Sequence, residues 1–178
     1  MPVLATHEPG GTLLGDHLRE LLLSRGDPQL SARAEALLMN ASRAQLVEQV
    51  IRPALERGEV VVCDRFADST LAYQGAGRGL DVPALESVIS FATAGLEPDM
   101  TMLLDLPVRA GLARKHARPG WNRFEDESLA FHERVRAAYR AMATADPRRW
   151  RCFDASGPPD ELADRIWATV AARMGLDL

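Results

Sequence analysis

Short apolar runs alternate along the chain with longer segments in which apolar residues recur every three or four positions. The short runs, typical of buried parallel strands, are Val3–Thr6, Val60–Cys63, Met100–Leu106 and Trp150–Asp154. The helical spacing covers Leu13–Arg25, Ser31–Arg57, Val82–Ala94, Val108–His116, Glu125–Asp146 and a last helix that starts at Gly157–Pro159. Strands that alternate with helices predict an α/β fold with a parallel, doubly wound sheet.

Glycine and proline interrupt this pattern at places where local structure has to change. Glu8–Thr12 holds Pro and paired Gly, which mark a tight turn, and Thr12 is a good N-cap for the helix that follows. This turn either simply joins a strand to a helix or presents its N–H groups, with Arg19 nearby, to an anion. Pro53 should kink or restart the long second helix, and Gly75–Gly79 reads as a Gly-rich turn.

Composition narrows the class of protein. A chain of 178 residues with 47% hydrophobic and 26% charged residues is typical of one globular domain, here 1–178. The net charge of −4 argues against a nucleic-acid polymer as partner. The first residues lack the pattern of a signal peptide, and no apolar run is long enough to span a bilayer. We therefore expect a cytoplasmic protein without a membrane partner, in which Cys63 and Cys152 are buried, reduced thiols.

The richest chemistry follows the second strand, in Val60–Gly79. Asp64 and Arg65 stand side by side where that strand should end. Ligands in open α/β sheets bind at the carboxyl ends of the strands. Short hydrogen-bonding side chains come directly afterwards, and they are Ser69, Thr70, Tyr73 and Gln74. This stretch predicts a site for a phosphorylated small molecule.

Two further groups of residues fit such a site. Met39 and Arg43 are four positions apart on a predicted helix, so an apolar surface with a guanidinium beyond it could hold a flat heterocycle. The alternative is a core methionine and a solvated arginine. Basic residues also crowd one segment, which by itself fits a solvated helix end; they are Arg109, Arg114, Lys115, His116, Arg118 and Arg123.

Five stretches taken together resemble bacterial thymidylate kinase. They are THEPGGT, ALLMNASRAQLV, VVVCDRFADSTLAYQGAGRG, GLEPDMTMLLDLP and NRFE…FHERVRAAY, in the family's order and spacing over nearly the whole chain. The resemblance implies a P-loop-kinase-like, three-layer αβα fold with a parallel sheet. It also implies transfer of the γ-phosphoryl group of ATP to dTMP with Mg²⁺, for DNA precursor synthesis. A homodimer is implied as well, with the helices at Val82–Ala94 and Leu46–Leu55 as candidate interfaces.

The resemblance also assigns roles to residues of the acceptor site. Arg65 is similar to the arginine that holds the acceptor phosphate, and Asp64 to the acid that organises Mg²⁺ through water. The remaining implied acceptor-site residues are Glu8 and Arg19 near the phosphate, Met39 against the base, Arg43 and Gln74 on the thymine edge, and Ser69, Thr70 and Tyr73 close to base and sugar.

A mobile lid is implied at about residues 114–124. Its arginines would stabilise the transferring phosphoryl group, which needs positive charge and positioning rather than a covalent nucleophile. They are Arg114, Arg118 and Arg123, of which Arg118 and Arg123 are the expected catalytic pair beside Asp64 and Arg65.

The chain departs from the family pattern in four places. His7 replaces an arginine, Met39 replaces a stacking phenylalanine, and Asn122 replaces the aspartate before Arg123. The fourth departure is that no G-x-x-x-x-G-K-[ST] occurs, the loop that cradles the donor phosphates. In the family this loop follows a strand that is central in the sheet.

We therefore expect a sheet that lacks its first, central strand, in an N-terminally truncated kinase chain. An inactive fragment or relic that only binds dTMP is the alternative. A Rossmann-like phosphate binder fits poorly, because no helix starts in the right place after Gly77–Gly79.

Overall fold

The computed structural model describes residues 1–25 and 29–176, which form two compact units. The first unit comprises Met1–Glu97 and Gly120–Ala138, and the second comprises Pro98–Pro119 and Tyr139–Leu178. The expectation of a single domain over 1–178 stays a prediction.

The elements of the first unit follow the predicted alternation. They are β1 (Val3–His7), α1 (Leu13–Leu23), α2 (Ala32–Leu46), α3 (Arg52–Glu56), β2 (Val60–Asp64), α4 (Ala67–Thr70) and α5 (Val82–Thr93). The second unit contains β3 (Thr101–Asp105), α6 (Val108–His116), β4 (Trp150–Asp154) and α8 (Pro159–Met174). The helix α7 (Leu129–Ala145) runs from the first unit into the second.

Each unit is built on a parallel pair of strands in the described part of the chain. β1 pairs with β2, from Val3 opposite Val60 to His7 opposite Asp64. β3 pairs with β4 in the same way, starting with Thr101 opposite Trp150. The predicted mixed α/β fold with parallel strands is confirmed, and the absence of a central strand stays a prediction.

The helices begin where short polar side chains satisfy free backbone N–H groups. Thr12 caps α1 as predicted, because its Oγ1 accepts a hydrogen bond from the N–H of Gly15 at 3.0 Å. Ser31 and Asp81 cap α2 and α5 in the same way. The start of α7 differs from the expectation: Ser128 accepts from the N–H of Phe131, so the helix begins at Leu129 rather than at Glu125.

The long second helix of the sequence pattern is one continuous helical path with a π-helical turn at Val47–Ile51 between α2 and α3. Pro53 lies at the start of α3, directly after this turn. A π-helical turn rearranges the regular hydrogen-bond ladder, which accommodates a residue that has no N–H to donate. The apolar stripe of this path forms the core of the first unit, with Leu46, Val47 and Ile51 buried.

The predicted Gly-rich turn after Gln74 is also helical, as a π-helical turn at Leu71–Gly77. The last glycine permits a close contact, since a Cβ on Gly77 would lie 2.6 Å from Cε2 of Phe131. No helix in the described part of the chain combines the length and the apolar character that a membrane crossing demands.

The end of α5 yields a prediction about stability. Ala94 terminates this helix with φ of 48°, in the left-handed region that disfavours side chains. We expect Ala94→Gly to raise the free energy of unfolding by about 0.5–1 kcal/mol. Ala137→Gly, at an exposed position inside α7, should lower it by about the same amount. Urea unfolding followed by circular dichroism measures both, and destabilisation by both variants would contradict the prediction.

Candidate functional site

The carboxyl ends of β1 and β2 bring the predicted acceptor residues to one edge of the first unit. The backbone N–H of Glu8, just after β1, donates to the carbonyl of Asp64 at 2.9 Å. Asp64 ends β2, and its side chain is exposed next to Arg65. Because both strands are parallel and in register, this edge is where their following residues must meet.

Glu8 and Arg43 form a buried ion pair at this edge. Their side chains are 4% and 2% exposed, and Nη2 of Arg43 lies 2.8 Å from Oε2 of Glu8. The remaining donors of the guanidinium are taken up by Oδ1 of Asn40 at 2.7 Å, Oγ1 of Thr70 at 3.1 Å and the carbonyl of Phe66 at 3.3 Å. Burial raises the pKa of Glu8, although the charge and hydrogen bond of Arg43 act in the opposite direction.

This burial decides between the two interpretations of Arg43, a base-binding residue or a solvated arginine. The interpretation of Arg43 as a solvated arginine is wrong, because the guanidinium is enclosed and its donors face oxygen atoms of four neighbours. Arg43 holds Glu8 and Thr70 in place, and its contact with a base stays a prediction. Met39 lies one helical turn earlier on the same face of α2 and is half-buried.

Arg65 has an unusual backbone conformation and an exposed side chain. Its φ is 68°, which a long side chain adopts rarely and which occurs often at functional sites. The guanidinium lies over the ring of Tyr73, 5.0 Å from its centroid, and Nη2 is 3.3 Å from the Tyr73 hydroxyl. The structure therefore brings together two residues that the sequence assigned to one site.

A second buried carboxylate, that of Glu35 on α2, organises the other side of this group. Its side chain is 1% exposed. Nε2 of Gln74 donates to its Oε1 at 2.7 Å, and Nη2 of Arg78 donates to its Oε2 at 3.1 Å. Nη2 of Arg123 lies 2.8 Å from the same Oε2 as an ion pair, without the angle of a directed hydrogen bond. One carboxylate on α2 thus joins residues from two other segments of the chain.

Arg78 connects Glu35 to further residues of the first unit. Its Nη1 donates to Glu127, and its guanidinium lies 4.9 Å from the centroid of the Phe131 ring. Burial alone would lower the pKa of Arg78, but hydrogen bonds and ion pairs with Glu35 and Glu127 raise it above its usual value. The arginine therefore stays charged in a largely enclosed position.

Sequence reasoning missed Glu35 and Arg78. A signal existed for Glu35, because it precedes Met39 and Arg43 at intervals of four and so shares their face of α2. No comparable local signal marks Arg78, whose partner Glu35 is 43 residues away.

The turn between β1 and α1 uses its N–H groups within the protein. The N–H of Gly10 donates to Oγ of Ser42 at 3.1 Å, and that of Gly11 donates to Oδ1 of Asp16 at 3.0 Å. Arg19 donates to the carbonyl of Pro9 at 2.8 Å. The structure therefore matches the reading of this segment as a strand-to-helix turn, and a phosphate contact of Arg19 stays a prediction.

The predicted lid arginines fall in both units, and each is described within its own. In the second unit Arg114 donates to the carbonyls of Ala155 and Ser156, at 2.7 and 3.0 Å, just after β4. Arg118 is exposed. In the first unit Arg123 pairs with Glu35 as described above. The phosphoryl-binding role of these arginines stays a prediction.

Two further features bear on ligand chemistry. Among residues 1–25 and 29–176, no three His, Cys, Asp or Glu side chains cluster as metal ligands. Asp64 as a single carboxylate still fits Mg²⁺, which often binds one or two carboxylates together with substrate phosphates. A shallow cavity of about 550 Å³ in the second unit contains no predicted site residue; it is lined by Met100, Arg151, Ala168, Thr169, Ala172 and Arg173.

Comparison with known proteins gives a consistent result. A sequence model described as "Thymidylate kinase" matches residues 1–166. The chain is 54% identical over 173 residues to a thymidylate kinase of Thermomicrobium roseum, with 97% of this chain and 81% of that protein covered. It is 56% identical over 178 residues to a thymidylate kinase of Desulfovibrio desulfuricans, with 96% and 82% covered.

A solved structure is similar as well. The crystal structure of thymidylate kinase from Ehrlichia chaffeensis superposes with a TM-score of 0.69 at 30% sequence identity. The superposition covers 85% of this chain and 73% of the other.

The buried ion pair at the strand ends gives a stability prediction. Glu8→Gln leaves the Arg43 charge buried without a counter-charge, and breaking such a pair costs about 3–5 kcal/mol. We expect a loss of that order in the free energy of unfolding, measured by urea titration. Glu48→Gln, at an exposed position, is the control and should change stability by less than about 0.5 kcal/mol. A loss below about 1 kcal/mol for Glu8→Gln would show that the pair contributes little.

The two cysteines, both free thiols, differ in environment. Cys152 is exposed and Cys63 is half-buried, which corrects the expectation that both are buried; in β4 the buried positions are those of Trp150 and Phe153. Burial, aided by the charges of Glu8 and Asp64, raises the pKa of Cys63 to about 12. The thiol of Cys63 therefore stays protonated at pH 8, and only a thiolate is a good nucleophile.

We expect iodoacetamide at pH 8 to modify Cys152 at least about ten times faster than Cys63. Peptide mass spectrometry over a time course measures both rates. Equal rates in the native protein would contradict this prediction, and equal rates after unfolding in guanidinium chloride serve as the control.

Proposed function

The chain belongs to the thymidylate kinase family of nucleoside-monophosphate kinases, and we propose that the edge formed by β1 and β2 is its acceptor site. In this proposal dTMP binds at that edge and its phosphate oxygen attacks the γ-phosphorus of ATP, giving dTDP and ADP. The observation that carries the proposal is the placement of Asp64, Arg65, Thr70, Tyr73 and Gln74 in one unit, at the end of β2 and directly after it.

Each residue has a proposed task that follows from its position. Arg65 holds the acceptor phosphate and screens its charge from the γ-phosphoryl group, for which its exposed guanidinium beside Tyr73 is suited. Gln74 meets the edge of the base, with Arg43 supporting the same region through Thr70. Met39 supplies apolar surface for the base. Glu8 and Arg19 border the phosphate from the turn after β1, and Ser69 borders the sugar.

The donor side of the reaction belongs to the proposal as well. Asp64 would hold Mg²⁺ through water, and the ion would supply charge neutralisation for the phosphates. Arg114, Arg118 and Arg123 are the proposed donors of positive charge toward the transferring group, after rearrangement of the contacts that Arg114 and Arg123 make here.

The proposal also includes a cytoplasmic homodimer. Phe91 on α5 is 90% exposed and Val82 on the same helix is 45% exposed. Large apolar side chains this exposed support the helix Val82–Ala94 as a surface for a second copy of the chain. The segment Leu46–Leu55 fits less well, because its apolar residues Leu46, Val47 and Ile51 are used in the core.

A chain that binds dTMP without transferring phosphate is the second candidate. It is favoured by one observation: Arg65, Tyr73 and Gln74, which lie together in the first unit, are all proposed acceptor-site residues. Measuring dTMP binding and dTDP formation on the same preparation separates the two candidates.

The test of the acceptor site is Arg65→Ala. Removing an arginine that neutralises charge on the reacting phosphates lowers rates by about 10³–10⁵. We expect dTDP formation from dTMP and Mg²⁺–ATP, measured by chromatography, to fall by at least about 10³-fold. Calorimetry should show weaker dTMP binding in the same variant.

Arg57→Ala is the matched control, because Arg57 is an exposed arginine that pairs only with Glu59 among the described contacts. It should keep the rate and affinity of the unaltered chain. A loss of less than about tenfold for Arg65→Ala would remove the proposed role. Binding of dTMP without dTDP formation by the unaltered chain would support the second candidate, and no binding by the folded chain would overturn both.

A further inference from the structure

The side-chain amide of Gln74 is held in one orientation by its neighbour. Gln74 is 1% exposed, and its Nε2 donates to Oε1 of Glu35 at 2.7 Å. Among the described residues, that bond is the one hydrogen bond of the Gln74 side chain. The orientation of this amide is therefore a property of the contact with Glu35.

The chemistry of the pair allows a single arrangement. A carboxylate paired with guanidinium groups only accepts hydrogen bonds, and Glu35 is paired with both Arg78 and Arg123. The amide must therefore turn its NH₂ group toward Glu35, which leaves Oε1 on the opposite side. A rotation of the amide by 180° would place two acceptor oxygens against each other in a buried site, at a high cost.

We propose that Glu35 is a positioning residue that makes the acceptor site select bases with an N–H group at ring position 3. The inference rests on the proposed function, since it takes the Gln74 amide to meet the base. With Oε1 presented, Gln74 accepts from the N3–H of a thymine-type base. A cytosine-type base has an acceptor at N3, so two acceptors would face each other and neither would be satisfied.

The arginines around Glu35 support its positioning role. Arg78 and Arg123 keep the carboxylate compensated while it is out of water, and Glu127 holds Arg78 from the other side. Among the described contacts, Glu127 pairs with Arg78 and touches neither Glu35 nor Gln74. A change at Glu127 should therefore alter stability without altering which base is preferred.

The experiment compares dTMP with 5-methyl-dCMP, which differs at ring positions 3 and 4 and keeps the methyl group. Calorimetry measures both dissociation constants for the unaltered chain, for Glu35→Gln and for Glu127→Gln. We expect the unaltered chain and Glu127→Gln to prefer dTMP by roughly 10- to 100-fold. The glutamine of Glu35→Gln can donate as well as accept, so Gln74 can turn, and the preference should fall to about threefold or less.

A second variant covers the case in which Glu35→Gln does not fold. The exchange Glu35→Gln with Gln74→Glu keeps one carboxylate and one amide facing each other, with the roles reversed. Its residue 74 again presents only an acceptor to the base, so the preference for dTMP should match that of the unaltered chain. A merely structural role of Glu35 would weaken both nucleotides equally in Glu35→Gln and leave their ratio unchanged.

The outcomes distinguish the two proposals. If the folded, unaltered chain binds neither nucleotide, the proposed function fails and the inference fails with it. If the chain prefers dTMP and Glu35→Gln keeps that ratio, only the inference is overturned. Loss of the preference in the exchange variant would also overturn the inference, because its acceptor at residue 74 would then not select the base.

Discussion

The buried carboxylate of Glu35 is the group on which the arrangement of the first unit depends. Taking a carboxylate out of water costs several kcal/mol unless opposite charge and hydrogen bonds replace the water. Here Gln74 in the π-helical turn, Arg78 directly after that turn and Arg123 in the segment before α7 replace it together. Loss of any one partner leaves a buried charge poorly compensated. These segments are therefore tied together by electrostatics as much as by apolar contacts.

The helix α2 carries both buried ion pairs of the site on one side. Glu35, Met39 and Arg43 recur at intervals of four, and Arg43 compensates Glu8 at the end of β1. The same helical path continues into the π-helical turn, where Leu46, Val47 and Ile51 form the apolar core. α2 thus connects the core of the unit to the strand edge at which the acceptor is proposed to bind.

Local rules accounted for most of the secondary structure. Periodicity predicted the four strands of the described part of the chain and the principal helices, and Thr12 marked the start of α1. The errors came where two local signals competed. Gly75 and Gly77 suggested a turn, but the segment is helical, and Gly77 lies close to the ring of Phe131. The capping of α7 by Ser128 moved its start to Leu129.

The candidate site was predictable only in part. The motif after β2 identified Asp64, Arg65, Tyr73 and Gln74 as neighbours, because they are close in sequence. The environment of each depended on distant partners. The sequence around Arg43 fits a solvated arginine, but the fold buries it against Glu8, which is 35 residues away. Arg114, whose lid role stays a prediction, donates in the second unit to carbonyl groups that lie 41 and 42 residues further on.

The sequence by itself determined the family, the parallel α/β class and the residues that follow β2. These depend on local periodicity and on a motif that is contiguous in the chain. Only the tertiary structure decided which polar residues are buried and which of them face one another. Glu35 became a central group because folding removed its water and brought two arginines and a glutamine within hydrogen-bond or ion-pair distance. No local pattern encodes that pairing, since its members lie 39 and more residues from Glu35 along the chain.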